Sequence, residues 1–248
     1  MIDLALWAGQ LLLQHGAEAT RIEETVHHIG TGLGADWMDI LVSPNAIIAT
    51  TSSGGEFRTK VRRVTRMGVN FSIVDEVNDL SHRVFAGELD RFHLRQELHR
   101  VSDLPPVYGR WQVVGMVGLG CAAFSRLFGA DWPVMLVTFS ASAVAMWVRQ
   151  ELTRRHFNNL LIVVITSFVA GCIASLATVY NIGEEPQFAL AASVLLLVPG
   201  VPLINAAEDL IEGHVLAGVA RGVIGAVIAL GIAVGLSLAL RLMGVQFE

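Results

Sequence analysis

The chain has 248 residues, 53% of them hydrophobic and 16% charged, with a mean hydropathy of +0.57 and a formal net charge of −5. That balance belongs to a membrane protein, and the absence of a basic excess excludes nucleic acid as a partner. The apolar excess is uneven: residues 1–110 hold 11 Lys+Arg and 14 Asp+Glu, and the other 138 residues hold 6 and 8, so a water-compatible part (1–104) precedes a lipid-compatible part (105–248).

The N-terminus carries Asp3 and no early Lys or Arg, and its apolar run stops at His15-Gly16 without a small-residue cleavage pattern, so no signal peptide is expected. Residues 4–14 predict a helix too short to span a bilayer. Thr20-Arg21-Ile22-Glu23 has capping-box spacing, and Ile22, Val26, Ile29 and Leu33 continue at helical intervals, predicting a helical hairpin. His15, His27 and His28 share no metal-ligand spacing and read as surface or lightly packed histidines.

From Trp37 the period becomes two. Three short antiparallel strands are predicted around Trp37, Ile47 and Phe57, separated by Ser43-Pro44-Asn45 and Ser52-Ser53-Gly54-Gly55. Lys60, Arg62, Arg63 and Arg66 form a basic cluster read as a solvated or headgroup-facing edge. Two further helices, one with the face Ile73/Val77/Leu80/Val84 and one carrying Leu89, Phe92, Leu94 and Leu98 into Val101, end at Leu104-Pro105-Pro106. The result is an α+β domain without a nucleophile elbow, phosphate loop or zinc signature, and nothing in the chain calls for a cofactor.

About five spans are expected beyond it, at 111–128, 132–148, 160–180, 188–207 and 218–240. Trp111, Trp132, Trp147 and Tyr180 fall at their interfaces. Arg91, Arg95, Arg100 and Arg110 precede the first span, Arg149, Arg154 and Arg155 lie between the second and third, and the loop around Glu184-Glu185 has no Lys or Arg. This bias places the N-domain in the cytoplasm and the C-terminus outside. Cys121 and Cys172 lie in apolar runs and read as packing residues. Gly115/Gly118, Gly218/Gly222 and Gly231/Gly235 offer close helix approach. Ser140, with Thr138 and Ser142, can contact a substrate or bond within its own helix.

The fourth span is interrupted. About eleven apolar residues from Phe188 lead to Val198-Pro199-Gly200-Val201-Pro202, roughly 17 Å into a hydrocarbon core about 30 Å thick. Pro199 and Pro202 with Gly200 open the backbone, and groups freed at that depth need protein or a water-filled cavity. Broken helices at mid-membrane are where transporters hold their substrates. If helix resumes at Pro202, then Asn205, Glu208, Asp209 and Glu212 share a sector roughly 100° wide. The bland reading is a solvated acidic face, which fits Glu208 and Glu212; Asn205 and Asp209 are the candidate functional pair.

The run from Leu197 to Leu210, with Gly213 and Gly218-Val219-Ala220-Arg221 after it, resembles the threonine/serine exporter family, in which Pro-Gly-x-Pro-x-x-Asn is followed at this distance by Asp. Gln14-His15-Gly16-Ala17-Glu18, Ser43-Pro44-Asn45-Ala46-Ile47 and Gly68-Val69-Asn70 look like that family's N-terminal domain, so the similarity covers nearly the whole chain. It is closest to the larger subunit of split members. The resemblance implies an inner-membrane secondary exporter of a small polar molecule, a threonine/serine-type amino acid or a dicarboxylate such as succinate. It also implies a small membrane partner that supplies the missing half. The site would comprise Pro199, Gly200, Pro202, Asn205, Glu208, Asp209 and Ser140, with Asn205 on the substrate and Asp209 on an amino group or the coupling proton. The expected fold is therefore a multi-pass α-helical membrane protein with an N-terminal cytoplasmic α+β domain. The rival readings are a membrane-anchored cytoplasmic enzyme or sensor, which would need no broken span, and a channel, which only flux separates from a carrier.

Overall fold

The computed structural model describes residues 1–65 and 67–245; Arg66 of the expected basic cluster lies outside the described residues. The chain clusters into two compact units: Met1–Pro105 with Gly200–Ile224, and Pro106–Pro199 with Gly225–Glu248.

The first unit begins with α1 (Ile2–Gln14) and α2 (Ala19–Gly32), then a three-stranded antiparallel meander of β1 (Trp37–Ser43), β2 (Ala46–Ser53) and β3 (Glu56–Arg63) in the order β1-β2-β3. Two helices follow, α3 (Phe71–Phe85) and α4 (Arg91–Ser102). The 3.6-residue period of α2 puts Ile22, Val26 and Ile29 inward with no exposure, and the two-residue period of β1 and β2 buries Met38, Val42, Ile47 and Ala49. These side chains join Leu6, Leu12, Val77, Leu80, Leu94 and Leu98 in one continuous core. β3 is nearly all exposed. Its Lys60 pairs with Asp3 at 2.7 Å, so the basic edge is partly neutralised from α1.

Two more helices belong to this unit. α9 (Gly200–Ile211) starts at Gly200, two residues earlier than the sequence suggests, so Pro202 lies in its first turn rather than at its first position. A first-turn proline lacks only an N–H that would have had no helical acceptor, and is tolerated there. Gly213, at φ +90°, turns the chain into α10 (Val215–Met243). A Cβ on Gly218 would stand 2.7 Å from Leu210 Cγ and 2.9 Å from the Ala206 carbonyl, so only glycine lets the start of α10 lie against α9.

The second unit holds α5 (Arg110–Leu127), α6 (Trp132–Arg154), α7 (Asn159–Val179), α8 (Gln187–Ser193), a 3-10 turn at Leu195–Leu197 and the remainder of α10. Small residues dominate its contacts: Ala141, Ala170, Ala174, Ala177 and Ala189 have no exposure. A Cβ on Gly171 would stand 2.8 Å from Ala239, marking a close approach of α7 and α10. The expected Gly115 contact is not present, whereas Gly118 packs on Phe139.

Among the described residues three helices are long and apolar enough to cross a membrane, α6, α7 and α10, and the broken pair α8 and α9 brings the number to four if taken as one span. α5 does not reach that standard, because Arg110, Gln112 and Arg126 fall within its 18 residues. α6 reaches Arg154, six residues past its expected end.

Candidate functional site

α2 begins without a cap of its own. Its N-cap residue is Glu18, whose side chain makes no capping bond, and the capping box expected at Thr20 is not formed because Thr20 already lies inside the helix. The first N–H groups of a helix have no internal acceptor, and Ala19 is fully buried, so water is not a substitute. The acceptor comes from α9: Ala19 N–H donates to Asp209 Oδ1 at 2.9 Å. A carboxylate there is favoured further by the positive end of the α2 dipole.

The neighbouring backbone is held in the same way. Asn205 Nδ2 donates to the Gly16 carbonyl at 2.8 Å, and Arg221 Nη2 donates to the Ala17 carbonyl at 2.8 Å. Thr20 Oγ1 donates to Glu212. Gly16 has φ +92°, which only glycine adopts easily, so the turn that presents these carbonyls depends on it. Arg221 Nη1 lies 3.1 Å from Asp209 Oδ2 with 13% and 0% side-chain exposure, closing an ion pair between α10 and α9. Those two atoms are buried and have no aligned hydrogen-bond partner among the described residues.

α9 is inverted relative to a helix of a water-soluble protein. Its only buried residues are Ala206 and Asp209, while Leu203, Ile204, Leu210 and Ile211 are exposed. Asp209 and Asn205 face protein while large apolar groups face outward, as suits a membrane-embedded segment, whereas Glu208 is exposed with them. Of the expected site residues, Asn205 and Asp209 therefore meet on the α1–α2 turn. Glu208 is exposed. Gly200 and Pro202 form the first turn of α9, and Pro199 is the last residue of the second unit before it. Ser140 lies on α6 in the second unit and bonds the Leu136 carbonyl of its own helix at 2.9 Å.

Four contributors are not expected in this site from the sequence: Arg221, Thr20, and the pair Glu23 and His214, although Thr20 and Glu23 stand out as a capping box and Arg221 in the run that carries the resemblance. The His214 imidazole Nδ1 lies 3.6 Å from Glu23 Oε1, joining α2 to the corner between α9 and α10. Burial lifts the Glu23 carboxyl above its ordinary range, and the imidazole opposes this in part. A cavity of about 490 Å³ opens on the same turn, with Ala17, Glu18, Arg21, Ser72 and Asp75 in its walls.

The profile of the family described as threonine/serine exporter matches residues 3–243. The chain belongs to the threonine/serine exporter family. It is similar to proteins named "Probable succinate transporter subunit YjjP": that of Klebsiella aerogenes is 42% identical over 220 residues, covering 88% of this chain and 84% of the relative. The Escherichia coli protein of the same name is 38% identical over 245 residues, covering 98% and 94%. It is similar too to the "Threonine/serine exporter" of Corynebacterium glutamicum, 24% identical over 229 residues that make up 89% of this chain and 47% of that one. No solved structure matches. Membership in the threonine/serine exporter family makes the protein a transporter and not an enzyme.

Two predictions follow from this geometry. Asp209→Asn keeps an acceptor for Ala19 N–H but leaves Arg221 buried without a counter-charge, which costs about 3 kcal/mol. Thermal unfolding of the detergent-solubilised chain should show that loss, with part of it restored in the double variant Asp209→Asn/Arg221→Gln. The second concerns pH. A carboxyl raised by folding supports the folded state fully only below the ordinary glutamate value of about 4.3, and that support is lost as pH rises through the folded-state value. Glu23→Gln should therefore raise the unfolding midpoint relative to the parent near neutral pH, and the difference should shrink toward about pH 4.

Proposed function

We propose that this protein is the larger subunit of a two-chain secondary exporter in the inner membrane, that it moves a C4-dicarboxylate such as succinate out of the cytoplasm, and that the segment from Pro199 to Asp209 is its gate. The subunit reading is supported by the relatives named as transporter subunits, which this chain covers at 84% and 94% of their length. This chain covers 47% of the Corynebacterium glutamicum protein named "Threonine/serine exporter", and in this reading a small membrane partner supplies the counterpart of the rest.

The observation that carries the gate is the buried ion pair of Asp209 and Arg221 on the α1–α2 turn. A proton taken up by Asp209 cancels the pair, weakens its hold on Ala19 N–H and frees Arg221, while Asn205 keeps Gly16. Coupling protons to transport needs a carboxyl of this kind, within the protein and tied to a structural element that its charge controls. Pro199, Gly200 and Pro202 leave the backbone between the 3-10 turn and α9 without a continuous helical ladder, so α9 can respond without unwinding a span.

In this reading residues 1–104 form the cytoplasmic domain and 105–248 the membrane domain, with about five spans, α5 included because its two arginines lie at its ends. The N-terminus is cytoplasmic and the C-terminus outside, following the Lys and Arg bias of the loops. The apolar outward surfaces of α6 and α10, where no more than 28% of the apolar window is buried, face lipid and the partner subunit. The second reading, export of threonine or serine, is favoured by the Corynebacterium glutamicum relative.

The test is efflux of preloaded labelled succinate and threonine from cells that lack their own exporters, expressing this chain with its partner. Succinate efflux that needs both chains and falls about tenfold or more in Asp209→Asn is expected. Threonine efflux without succinate efflux moves the assignment to the second reading, and movement of neither solute by well-inserted protein overturns it.

A further inference from the structure

The second unit contains a cavity of about 620 Å³ lined by Arg110, Met146, Arg149, Gln150, Thr153 and Arg154. Half of its lining residues are arginines, and they differ in how they are matched. Arg110 bonds Gln150 Oε1 through Nε at 3.0 Å and pairs with Glu151 through Nη2 at 3.0 Å. Glu151 in turn also serves Arg155, at 3.1 Å. Arg149 is half-buried, and its recorded bond is to a neutral group, the Leu196 carbonyl, at 2.9 Å. Among the described residues neither Arg149 nor Arg154 has a carboxylate within ion-pairing distance.

A half-buried guanidinium at the end of a membrane helix is costly unless an anion meets it. Arginine's planar fork is shaped for a carboxylate, which it binds through two parallel bonds. Two such groups stand without a carboxylate on one cavity wall, and Met146, one turn before Arg149 on α6, adds an apolar side chain to the lining. A solute with two carboxylates on a short aliphatic chain satisfies all three features; a phosphodiester headgroup offers the same oxyanion chemistry with a single charge.

Arg149 also reaches the interrupted span. Leu196 is the middle residue of the 3-10 turn that precedes Val198 and Pro199, and its carbonyl is one of the acceptors that a helix end leaves without an internal donor. The side chain that awaits an anion thus also terminates the first half of the broken segment.

Resting on the dicarboxylate reading above, we infer that Arg149 and Arg154, with Arg110 held in place by Glu151, form the binding site for the two carboxylates of the exported solute at the Leu196 end of the break. With the orientation proposed above, this end faces the cytoplasm, where an exporter takes up its load. Arg149 then reports occupancy to the break through the Leu196 carbonyl.

The test is equilibrium binding of labelled succinate to the full chain with its partner in phosphatidylcholine nanodiscs, together with efflux from cells, for the parent and for R149Q, R154Q and R155Q. Glutamine at 149 keeps a donor for Leu196, and Arg154 is exposed and without a partner among the described residues, so R154Q tests the site even if R149Q folds poorly. R149Q and R154Q are each expected to weaken succinate binding by about tenfold or more, and R155Q to change it by less than about twofold. Replacing half of the lipid with phosphatidylglycerol is expected to leave the parent's affinity unchanged. Parent-like binding and efflux in both R149Q and R154Q overturns the site while leaving dicarboxylate export intact. Loss of succinate binding in proportion to phosphatidylglycerol overturns it in favour of a lipid headgroup. A parent complex that neither binds nor exports succinate overturns both.

Discussion

A helix that starts in the protein interior without its own capping side chain must find an acceptor elsewhere, and here that acceptor is the Asp209 carboxylate. Ala19 N–H has no intrahelical partner and no access to water. Once Asp209 is placed against it, the rest follows: the carboxylate is buried and needs a cation, Arg221 supplies it from the next helix, and the second Nη of Arg221 takes the Ala17 carbonyl. Asn205, one turn before Asp209, then falls on Gly16. Three side chains from α9 and α10 thereby fix a turn some 190 residues away in sequence.

This arrangement explains why α9 belongs to the same compact unit as the N-terminal α+β part, although the break before it lies inside what reads as one apolar span. The boundary between the units falls between Pro199 and Gly200, where proline has removed an N–H and the helical ladder is already interrupted. Outward-facing Ile204 and Ile211 and inward-facing Asp209 make α9 stable only in surroundings that accept apolar surface. A charged pair kept under such conditions is poorly explained by stability, since a buried ion pair returns little net free energy over an apolar replacement. It suits a transporter, in which contacts between elements must be able to change.

Much of this was legible in the sequence. The alternation after Trp37 yields the three strands, Ile22, Val26 and Ile29 predict the buried face of α2, and Pro199-Gly200 marks the break. Asn205 and Asp209 stand out as polar residues one turn apart next to it. Their partners do not, because Gly16, Ala17 and Ala19 act through backbone groups, which carry no residue signature, and because the pairing spans nearly the length of the chain. Thr20 misleads for a related reason: Thr20 to Glu23 has the spacing of a local cap, but a cap supplied by α9 lets the helix begin two residues earlier and commits the Thr20 hydroxyl to Glu212. In the sequence Arg221 stands in the run that carries the family resemblance, and the fold shows it turned inward. The end of α6 reads short because Arg149 and Glu151 resemble a loop in sequence, whereas in the structure both continue the helix, Glu151 paired with Arg110 of α5 and Arg149 bonded to the Leu196 carbonyl.

The most direct measurement of the central claim is amide hydrogen exchange at Ala19 in the full chain, resolved to the single residue. If Asp209 is the acceptor that starts α2, Ala19 exchanges slowly in the parent, and at least about tenfold faster in Asp209→Ala, while Val26 and Ile29 deeper in the helix are unchanged. Fast exchange at Ala19 in the parent, or slow exchange that is indifferent to the loss of Asp209, would contradict the account.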